Sequence, residues 1–391
     1  MFVHPSTTPP QGLSPLDAES AAHRARMMTH LQAQLAGRPD RFMPLEHWMD
    51  QVLYAPGLGY YVAGNTKFGS GLPEGDFTTA PELSPVFGAT LARQVQQILT
   101  QTASLDILEF GAGTGALAAA LLPELDRLGI RARYHILEVS ADLRERQARR
   151  LAALNLPVRW LDTLPQAFCG CVLANEVLDA MPATVFQWGS DGILREVGVR
   201  PAIGPDAAPD FELATRTAPE ELQHLVAQRV PPFPGYQSEL NLRAEAWVRE
   251  MGTWLTRGAA LLIDYGFPRR EYYHPQRAEG TLMCHFRHHA HAGPLVHPGL
   301  QDITTHVDFT AMADAALAGG LDVLGYTSQA RFLMNAGIAE HLAGANPRTL
   351  SAVQKLLSEA EMGELFKVLA VGRGMEPPLL GFTRGDRRDA L

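Results

Sequence analysis

Residues 105–116 have the sequence LDILEFGAGTGA, and the organisation of the chain can be worked out from this stretch. Residues 106–110 predict a short apolar strand, and Gly111, Gly113 and Gly115 follow before an apolar helical pattern begins. A strand, a glycine turn and a helix form the entry to a nucleotide-binding α/β unit. Glycine lacks a Cβ atom, so the backbone can bend sharply and a ligand can lie against it. The N–H groups at the start of the helix can then bind a carboxylate or a phosphate.

This motif leaves alternatives open when it is taken alone. Its letters also fit G-x-G-x-x-A, the dinucleotide fingerprint of oxidoreductases. A tight turn that binds no ligand is the simplest alternative. The segments that follow the motif must therefore decide between them.

The next segments predict further strands that alternate with helices. Residues 133–139, 157–161 and 170–174 are short apolar runs, and residues 141–154 have helical spacing behind Ser140, a good N-cap residue. Together with residues 106–110 they make four strands. This alternation predicts an α/β fold with a parallel sheet that is covered by helices on both faces.

An insertion is expected between the fourth and fifth strands of this sheet. Residues 184–200 predict a hairpin, and residues 201–219 are rich in Pro, Ala and Asp. We expect Ser238 to cap a long helix over residues 239–256, which Gly258 ends. The remaining interpretations are a fifth strand at 259–264, a polar loop at 267–305, a helix capped by Asp308, and strands at 321–326 and 366–371.

The domain organisation expected from this pattern has two parts. Residues 1–44 form an N-terminal extension, and residues 45–391 form the catalytic domain, with a ligand-binding half at 105–182 and the inserted segment at 183–237. Residues 54–88 are rich in Gly, Pro and aromatic residues and are too long for a plain connector. We interpret them as a lid over the glycine turn; a surface loop held by its aromatic side chains is the alternative.

Acidic residues follow successive predicted strands. Glu109 lies near the end of the first strand, Glu138 and Asp162 follow the second and third, and Asp264 follows the fifth. In an open α/β sheet the carboxyl ends of the strands form the ligand crevice. Glu138 can accept hydrogen bonds from both hydroxyls of a ribose, and Asp162 can accept from an adenine amino group. Their alternatives are a charge at a helix N-terminus and a loop cap.

Asn175 and Glu176 come directly after the buried fourth strand. Polar groups in this position are costly to desolvate unless they are paired or functional. A carboxylate here can hold a substrate amine or lie close to a sulfonium. The alternative is a helix cap, since Asn caps well and Glu suits a first turn.

Composition excludes several classes of protein. The chain has 391 residues, 46% hydrophobic and 19% charged, with a net charge of −9 and no dense basic run, which argues against nucleic-acid binding. No apolar run approaches the about 18 residues that a membrane span needs, and no signal peptide is evident. Three cysteines and a histidine-rich loop without zinc-like spacing predict a reducing, cytoplasmic location and no metal site.

At this point the residues resemble a known family. EFGAGTGALAAALL resembles the first motif of class I S-adenosylmethionine-dependent methyltransferases, which have a Rossmann-like sheet, and Glu138 matches their acidic residue after the second strand. More specifically, the chain resembles the MidA family, whose eukaryotic members are mitochondrial complex I assembly factors. The supporting stretches are GYY (59–61), GDFTTAPELSPVFG (75–88), NEVLDAMP (175–182), LLIDYG (261–266), HPQRAEGTLMCHFRH (274–288), GLQDITTHVDF (299–309) and GELFKVL (363–369).

This resemblance implies a function and a set of site residues. The eukaryotic members dimethylate an arginine of a complex I subunit, so the resemblance implies an S-adenosylmethionine-dependent methyltransferase that acts on a protein arginine. Carboxylates near the acceptor can hold a guanidinium and take its proton. Glu176, Asp179 and Asp264 are the catalytic candidates, followed by Glu239. The double-glutamate loop of the common arginine methyltransferases is not found, which leaves the choice of base open.

The same resemblance assigns the remaining roles. The cofactor-binding candidates are Glu109, Gly111, Gly113, Gly115, Glu138, Asp162 and Asn175. The partner implied is a protein substrate, and the sequence sets no oligomeric state. Two other functions are considered: an assembly chaperone that keeps the fold but transfers no methyl group, and a nucleotide-dependent oxidoreductase. The extra Gly115 and the NEVLDAMP stretch argue against the oxidoreductase.

Overall fold

The computed structural model describes residues 13, 15–63, 78–202 and 211–391. These residues form two compact units. The core unit comprises Thr78–Asp179, Ala244–Arg269 and Val307–Leu391. The accessory unit comprises the described residues of Met1–Phe77, together with Ala180–Arg243 and Arg270–His306.

Strands and helices alternate along much of the described chain, as the sequence pattern predicts. The helices within it are α1 (Ala18–Ala36), α2 (Leu45–Tyr54), α3 (Ala80–Leu83), α4 (Pro85–Thr102), α5 (Ala116–Arg127), α6 (Ala141–Leu151), α7 (Glu220–Arg229), α8 (Leu242–Trp254), α9 (Arg269–Tyr272), α10 (Phe309–Ala318), α11 (Gln329–Asn335) and α12 (Pro347–Leu357). The strands are β1 (Met43–Pro44), β2 (Asp106–Phe110), β3 (Arg133–Leu137), β4 (Val158–Leu161), β5 (Phe168–Asn175), β6 (Thr184–Trp188), β7 (Leu194–Pro201), β8 (Phe211–Thr217), β9 (Gln237–Leu240), β10 (Leu255–Phe267), β11 (Met283–Phe286), β12 (His289–His291), β13 (Asp302–Thr304), β14 (Val307–Asp308), β15 (Asp322–Ser328) and β16 (Phe366–Arg373).

The core unit is built on a sheet with the strand order β15-β16-β10-β5-β2-β3-β4. Neighbouring strands from β10 to β4 pair in parallel, whereas β16 pairs antiparallel with both β10 and β15. The predicted α/β class and the four strands are thus confirmed, although residues 162–167, between β4 and β5, contain no helix. Because β2 lies between β5 and β3, the glycine turn lies at the middle of the carboxyl edge, where open α/β sheets bind ligands.

Local sequence explains the helices that flank this edge. Ser140 caps α6 by accepting a hydrogen bond from Leu143 N, and Asp308 caps α10 by accepting from Ala311 N. Helices α4 and α5 approach closely at Gly88, where an added Cβ would lie 2.8 Å from the Cβ of Ala120. The first turn of α5 is thereby held against α4, and its N-terminus is fixed at the sheet edge.

The accessory unit contains an antiparallel sheet with the order β1-β7-β6-β9, to which β8 adds beside β7. The hairpin predicted at residues 184–200 is confirmed, since β6 pairs antiparallel with β7. Helices α1 and α2 supply its apolar core, in which the side chain of Trp48 is fully buried. A smaller sheet, in the order β12-β11-β13, belongs to the same unit.

Two sequence expectations are wrong in this region. The long helix at 239–256 begins only at Leu242, because Ser238 and Glu239 lie in β9 and pair with β6. Gly258 does not end a helix, since it lies within β10, where an added Cβ would lie 1.9 Å from the carbonyl oxygen of Gly170. A close backbone approach between two strands, and not a helix cap, requires this glycine.

The segment expected to be a polar loop, residues 267–305, also contains regular structure. It includes α9 and the strands β11, β12 and β13, with His285 opposite Ala290 in an antiparallel pair. Polar side chains hid the strand pattern, because both faces of these short strands carry histidines. The predicted insertion at 201–219 likewise includes strand β8. Among the described helices, none has the length and apolar character to cross a membrane.

Candidate functional site

The glycine turn at the end of β2 has a left-handed backbone at alternate positions. The φ angles of Gly111, Gly113 and Gly115 are +60°, +52° and +82°, a region that L side chains rarely adopt. A Cβ added at Gly113 would meet no atom within 4 Å, whereas one at Gly111 would lie 3.2 Å from the side chain of Val177. The turn therefore requires glycine for its shape, and open space remains in front of Gly113 for a ligand.

Glu138 lies at the end of β3, beside this turn, and its carboxylate is held from two sides. Oε1 accepts a hydrogen bond from Ser140 N at 3.0 Å, and Oε2 accepts from Gln147 Nε2 at 3.1 Å. The residue is 7% exposed, and this burial raises the pKa of its carboxyl group. Because both partners are neutral, the charge of Glu138 is oriented without being cancelled, and each oxygen keeps a second lone pair for a ligand hydroxyl.

Gln147 was not predicted as a site residue, although it connects three parts of this edge. Its side chain is fully buried on α6. Besides Glu138, Nε2 contacts the carbonyl oxygen of Gly113 at 2.8 Å, and Oε1 accepts from Trp160 Nε1 at 2.8 Å. One sequence signal was available: Gln147 lies one helical turn before the buried Leu151, so a polar residue occupies the inward stripe of α6.

Glu109, on β2, lies buried next to β3. It is 3% exposed, and its Oε2 accepts a hydrogen bond from the hydroxyl of Tyr134 at 2.8 Å. Burial is the largest cause that raises the pKa of Glu109 to about 8, and the charge of Glu138 adds to it. Two carboxyl groups that are hard to ionise therefore flank the glycine turn, and a nearby cation would stabilise their charged forms.

Asp162 lies beyond the end of β4 and is exposed. Its side chain is 86% exposed and pairs with Arg144 at 2.8 Å. Arg144 also donates to the carbonyl oxygens of Leu161 at 2.5 Å and of Glu138 at 2.9 Å. This arginine ties the ends of β3 and β4 together, and the contact of Asp162 with an adenine stays a prediction.

Asn175 and Glu176 occupy the end of β5 in an unusual conformation. Glu176 has a φ angle of +54°, which costs free energy for a residue with a Cβ, and its N–H donates to the carbonyl oxygen of Ile263 at 2.9 Å. Asn175 Nδ2 donates to Glu176 Oε1 at 3.0 Å. Asn175 Oδ1 is buried and receives no hydrogen bond from the residues that the structure describes. An acceptor atom and a carboxylate are thus presented together.

Asp264 and Asp179 complete a group of acids at the ends of β5 and β10. Asp264 is fully buried; its Oδ2 accepts from the N–H groups of Leu178 at 3.0 Å and Asp179 at 3.2 Å, and its Oδ1 accepts from Tyr265 N at 2.9 Å. The hydroxyl of Tyr265, another residue missed in the sequence, donates to Asp179 Oδ2 at 2.5 Å. Burial, followed by the charges of Asp179 and Glu176, raises the pKa of Asp264 well above its usual range.

These three carboxylates, Glu176, Asp179 and Asp264, are called the acid cluster below. Strand pairing brings them together, since Asn175 of β5 lies opposite Ile263 of β10. Their hydrogen bonds differ: Asp264 accepts three backbone N–H groups, whereas Glu176 Oε1 accepts from the side-chain amide of its neighbour Asn175. Asp264 therefore shapes the loop that carries Glu176 and Asp179.

Glu239, the last catalytic candidate, belongs to the accessory unit. Its buried carboxylate accepts from Thr281 N at 2.9 Å, Leu282 N at 3.2 Å and the hydroxyl of Tyr272 at 3.2 Å. Burial raises the pKa of its carboxyl group. Through these contacts, Glu239 holds Thr281 and Leu282, which follow α9, next to β9 within the accessory unit.

The lid interpretation concerned residues 54–88, of which residues 64–77 lie outside the described part of the chain. The described residues after this gap contact the glycine turn. Glu82 of α3 accepts hydrogen bonds from the hydroxyl of Thr114 and from Arg150 Nη1, the latter at 2.9 Å. The end of the predicted lid segment is thus anchored to the turn inside the core unit.

Comparison with known proteins agrees with this arrangement. Residues 90–327, more than half of the chain, match the family model Methyltransf_28, which describes S-adenosyl-L-methionine-dependent methyltransferases. The chain is 28% identical to the mitochondrial protein arginine methyltransferase NDUFAF7 homolog of Drosophila melanogaster, over 97% of this chain and 93% of the relative. It is 29% identical to the Mus musculus protein arginine methyltransferase NDUFAF7, over 88% of this chain and 84% of the relative.

A solved structure covers the whole fold. A Burkholderia thailandensis protein, whose crystal structure contains bound S-adenosyl-homocysteine, is 45% identical and superposes with a TM-score of 0.88 over 97% of this chain and 100% of that one. Similarity of this extent concerns both units and all the strands of the core sheet.

Proposed function

Because the chain belongs to the family of S-adenosyl-L-methionine-dependent methyltransferases, we propose that its methyl acceptor is the guanidinium group of an arginine in a protein. The observation that carries this proposal is the acid cluster at the carboxyl ends of β5 and β10, in which Glu176 has a strained backbone. Strain of this kind is retained mainly where function needs it. The names of the relatives, which are protein arginine methyltransferases, support the same choice of acceptor.

The glycine turn and its neighbours fit the cofactor. The open space in front of Gly113 suits a ligand that lies against the backbone, and the first N–H groups of α5 point to the same edge. Glu138 is suited to accept hydrogen bonds from two ribose hydroxyls, and Asp162 is proposed to accept from the adenine amino group. Glu109 is proposed to stabilise the positive charge of the cofactor, which supplies an electrophilic methyl group when bound.

The acid cluster fits a guanidinium as the acceptor. A guanidinium carries five N–H donors in a plane. Two acceptors lie at the end of β5: the buried Asn175 Oδ1, next to the acid cluster, and the carboxylate of Glu176, within it. A guanidinium nitrogen must lose a proton when it gains a methyl group, and Glu176 is our candidate to hold and then take this proton. Asp179, bonded to Tyr265, is proposed to add a second negative charge.

Asp264 has a different part in this proposal. Its oxygens already accept three backbone N–H groups, so we assign it a positioning role, although it was a catalytic candidate from the sequence. It holds the residues around Asp179 while the other two acids face the acceptor. A kinetic separation between Glu176 and Asp264 variants would test this division of roles.

The proposal is tested by identifying the methylated amino acid. The purified chain is incubated with radiolabelled S-adenosylmethionine and protein extract from cells that lack the gene, and the labelled protein is hydrolysed to amino acids. We expect the label in monomethylarginine and dimethylarginine, and its loss with Glu176→Gln. Label in methyl-lysine, or only in small molecules, would contradict an arginine acceptor.

The acceptor protein can be proposed only from the family resemblance. We propose that it is a subunit of a respiratory complex I and that the chain acts in the cytoplasm. Mass spectrometry of methylarginine in isolated complex I, from cells with and without the gene, tests this identity. Unchanged methylarginine in the deletion strain would exclude complex I as the substrate. The extract experiment would still test whether the methyl acceptor is an arginine.

A further inference from the structure

The side chain of Gln147 joins the glycine turn to the acid that faces the ribose. Its Nε2 group carries two hydrogens, and the two acceptors in reach are the Gly113 carbonyl oxygen at 2.8 Å and Glu138 Oε2 at 3.1 Å. Its Oε1 accepts from Trp160 Nε1 at 2.8 Å. Every donor and acceptor of this fully buried amide is matched, so only one of its two orientations satisfies all three partners.

Packing adds to this hydrogen bonding. A Cβ on Gly115 would lie 3.5 Å from Cγ of Gln147, so the third glycine of the turn faces this side chain. Gln147 therefore bonds to the turn at Gly113 and lies beside it at Gly115. A backbone hydrogen bond from Gly111 N to the carbonyl oxygen of Leu137, at 3.3 Å, holds the start of the turn near Glu138, and Gln147 holds its middle.

No other residue type reproduces these contacts. A glutamate would place a negative oxygen against the Gly113 carbonyl and against Glu138, and a leucine would leave those acceptors and the indole N–H of Trp160 unmatched. A buried polar group that loses its partner carries the full cost of its desolvation. Glu138, at the end of β3, is the charged group that bonds to Gln147, and Glu109 of β2 and Arg144 of α6 act on Glu138 in turn.

We propose that Gln147 is a positioning residue for cofactor binding, which sets the distance between the glycine turn and the carboxylate of Glu138. This inference rests on the proposed cofactor site. Gln147 acts on the cofactor through Gly113 and Glu138, because both of its amide hydrogens are already directed to them. Replacing Gln147 moves apart the two groups that contact the cofactor: Glu138, which binds the ribose, and the glycine turn, against which the cofactor lies.

Calorimetric titration with S-adenosylmethionine tests this role in three full-length variants. Gln147→Leu is expected to raise the Kd about tenfold, and Gln147→Glu about 100-fold near pH 8. Gln329→Glu is the matched control: Gln329 is equally buried, and its Nε2 donates to the carbonyl of Leu356 in another part of the core unit. It should leave the Kd unchanged even where it lowers the melting temperature.

The pH profile separates positioning from a general loss of structure. As pH falls from about 8 to about 6, a glutamate at position 147 takes up a proton and regains one donor, because burial raises the pKa of its carboxyl group. The ratio of the Kd values of Gln147→Glu and wild type should therefore decrease about tenfold, whereas the ratio for Gln147→Leu stays constant. Equal ratios at both pH values would overturn the proposal.

The affinities of the Gln147 and Glu138 variants distinguish the positioning role from the proposed cofactor site. Wild-type affinity in both Gln147 variants, with binding lost in Glu138→Ala, would refute the positioning role alone. Wild-type affinity in Glu138→Ala as well would show that the cofactor binds elsewhere.

Discussion

Two places on the carboxyl edge of the core sheet are built in different ways. At the end of β3, the partners of Glu138 are Ser140 and Gln147, which lie 2 and 9 positions further along the chain. At the ends of β5 and β10, Asp264 accepts from Leu178 and Asp179, which lie 86 and 85 positions away. The hydrogen bonds of the Glu138 carboxylate are therefore made by local sequence, whereas the acid cluster forms only when distant strands pair.

Substitutions should therefore have different effects at the two places. A local arrangement depends on backbone shape and available space, so a substitution in the turn should disturb binding and little else. An arrangement built from distant segments depends on the fold, so a substitution in its centre should affect stability and catalysis together. Variants in the glycine turn and in the acid cluster should therefore separate the effect on binding from the effects on stability and catalysis.

The largest effect is expected from Gly113→Val. A branched side chain would occupy the open space in front of the turn, and valine disfavours a φ angle of +52°. We expect calorimetry to detect no binding of S-adenosylmethionine. The matched control is Gly129→Val, since Gly129 also has a positive φ angle, +82°, and no atom within 4 Å of an added Cβ. Binding by Gly113→Val within tenfold of the control would show that the cofactor does not lie against this turn.

The next effect concerns the acid cluster and its chemistry. Glu176→Gln keeps an oxygen that can accept from Asn175 but removes the charge and the proton acceptor. We expect kcat to fall by about 10²–10⁴, the usual loss when a general base is removed, with little change in the Kd for the cofactor. Glu359→Gln, at an exposed position of the core unit, is the control. A kcat within twofold of wild type would exclude Glu176 as the base.

Asp264→Ala should act on stability. It leaves three backbone N–H groups without their acceptor, and we expect the free energy of unfolding to decrease by about 2–4 kcal/mol in urea titrations. Asp264→Asn keeps one acceptor oxygen and should lose less. Asp322→Ala, at an exposed position of β15, is the control. Full stability of Asp264→Ala with lost transfer would assign Asp264 to the chemistry instead.

The smallest effect is a change in pH dependence. Between its ordinary pKa near 4.5 and the raised pKa of about 8, Glu109 holds a proton in the folded chain that the unfolded chain has released. Its contribution to the free energy of unfolding therefore decreases as pH rises through this window. Glu109→Gln removes that dependence, so its melting temperature should exceed that of wild type by a few degrees near pH 8 and by less near pH 5.

Differential scanning fluorimetry of the apo protein measures this change, with Glu250→Gln at an exposed position as the control. A difference between variant and wild type that is the same at both pH values would contradict the raised pKa.

The same distinction explains which features could be predicted from the sequence. The strand at 106–110, the caps at Ser140 and Asp308, and the glycine turn depend on a few consecutive residues, and the structure has them where the pattern predicts. Glu138 and Glu176 could be selected because each follows a recognisable apolar strand. Their placement at one sheet edge follows from the parallel topology.

Other features depend on partners that no local pattern reveals. Ser238 and Glu239 resemble a helix start, but pairing with β6 draws them into β9. Two of the three backbone bonds to Asp264, from Leu178 and Asp179, require the register of β5 against β10. Gln147 could not be assigned to the turn, because its contact with the Gly113 carbonyl spans 34 positions.

The interrupted course of the chain limits how this enzyme can be taken apart or recombined. Ala180–Arg243 separates β5 from β10, and Arg270–His306 separates β10 from β14. The accessory unit is therefore made of three separate stretches of the chain. A single truncation cannot release either half, and an exchange of the accessory unit with a relative must transfer three fragments at once.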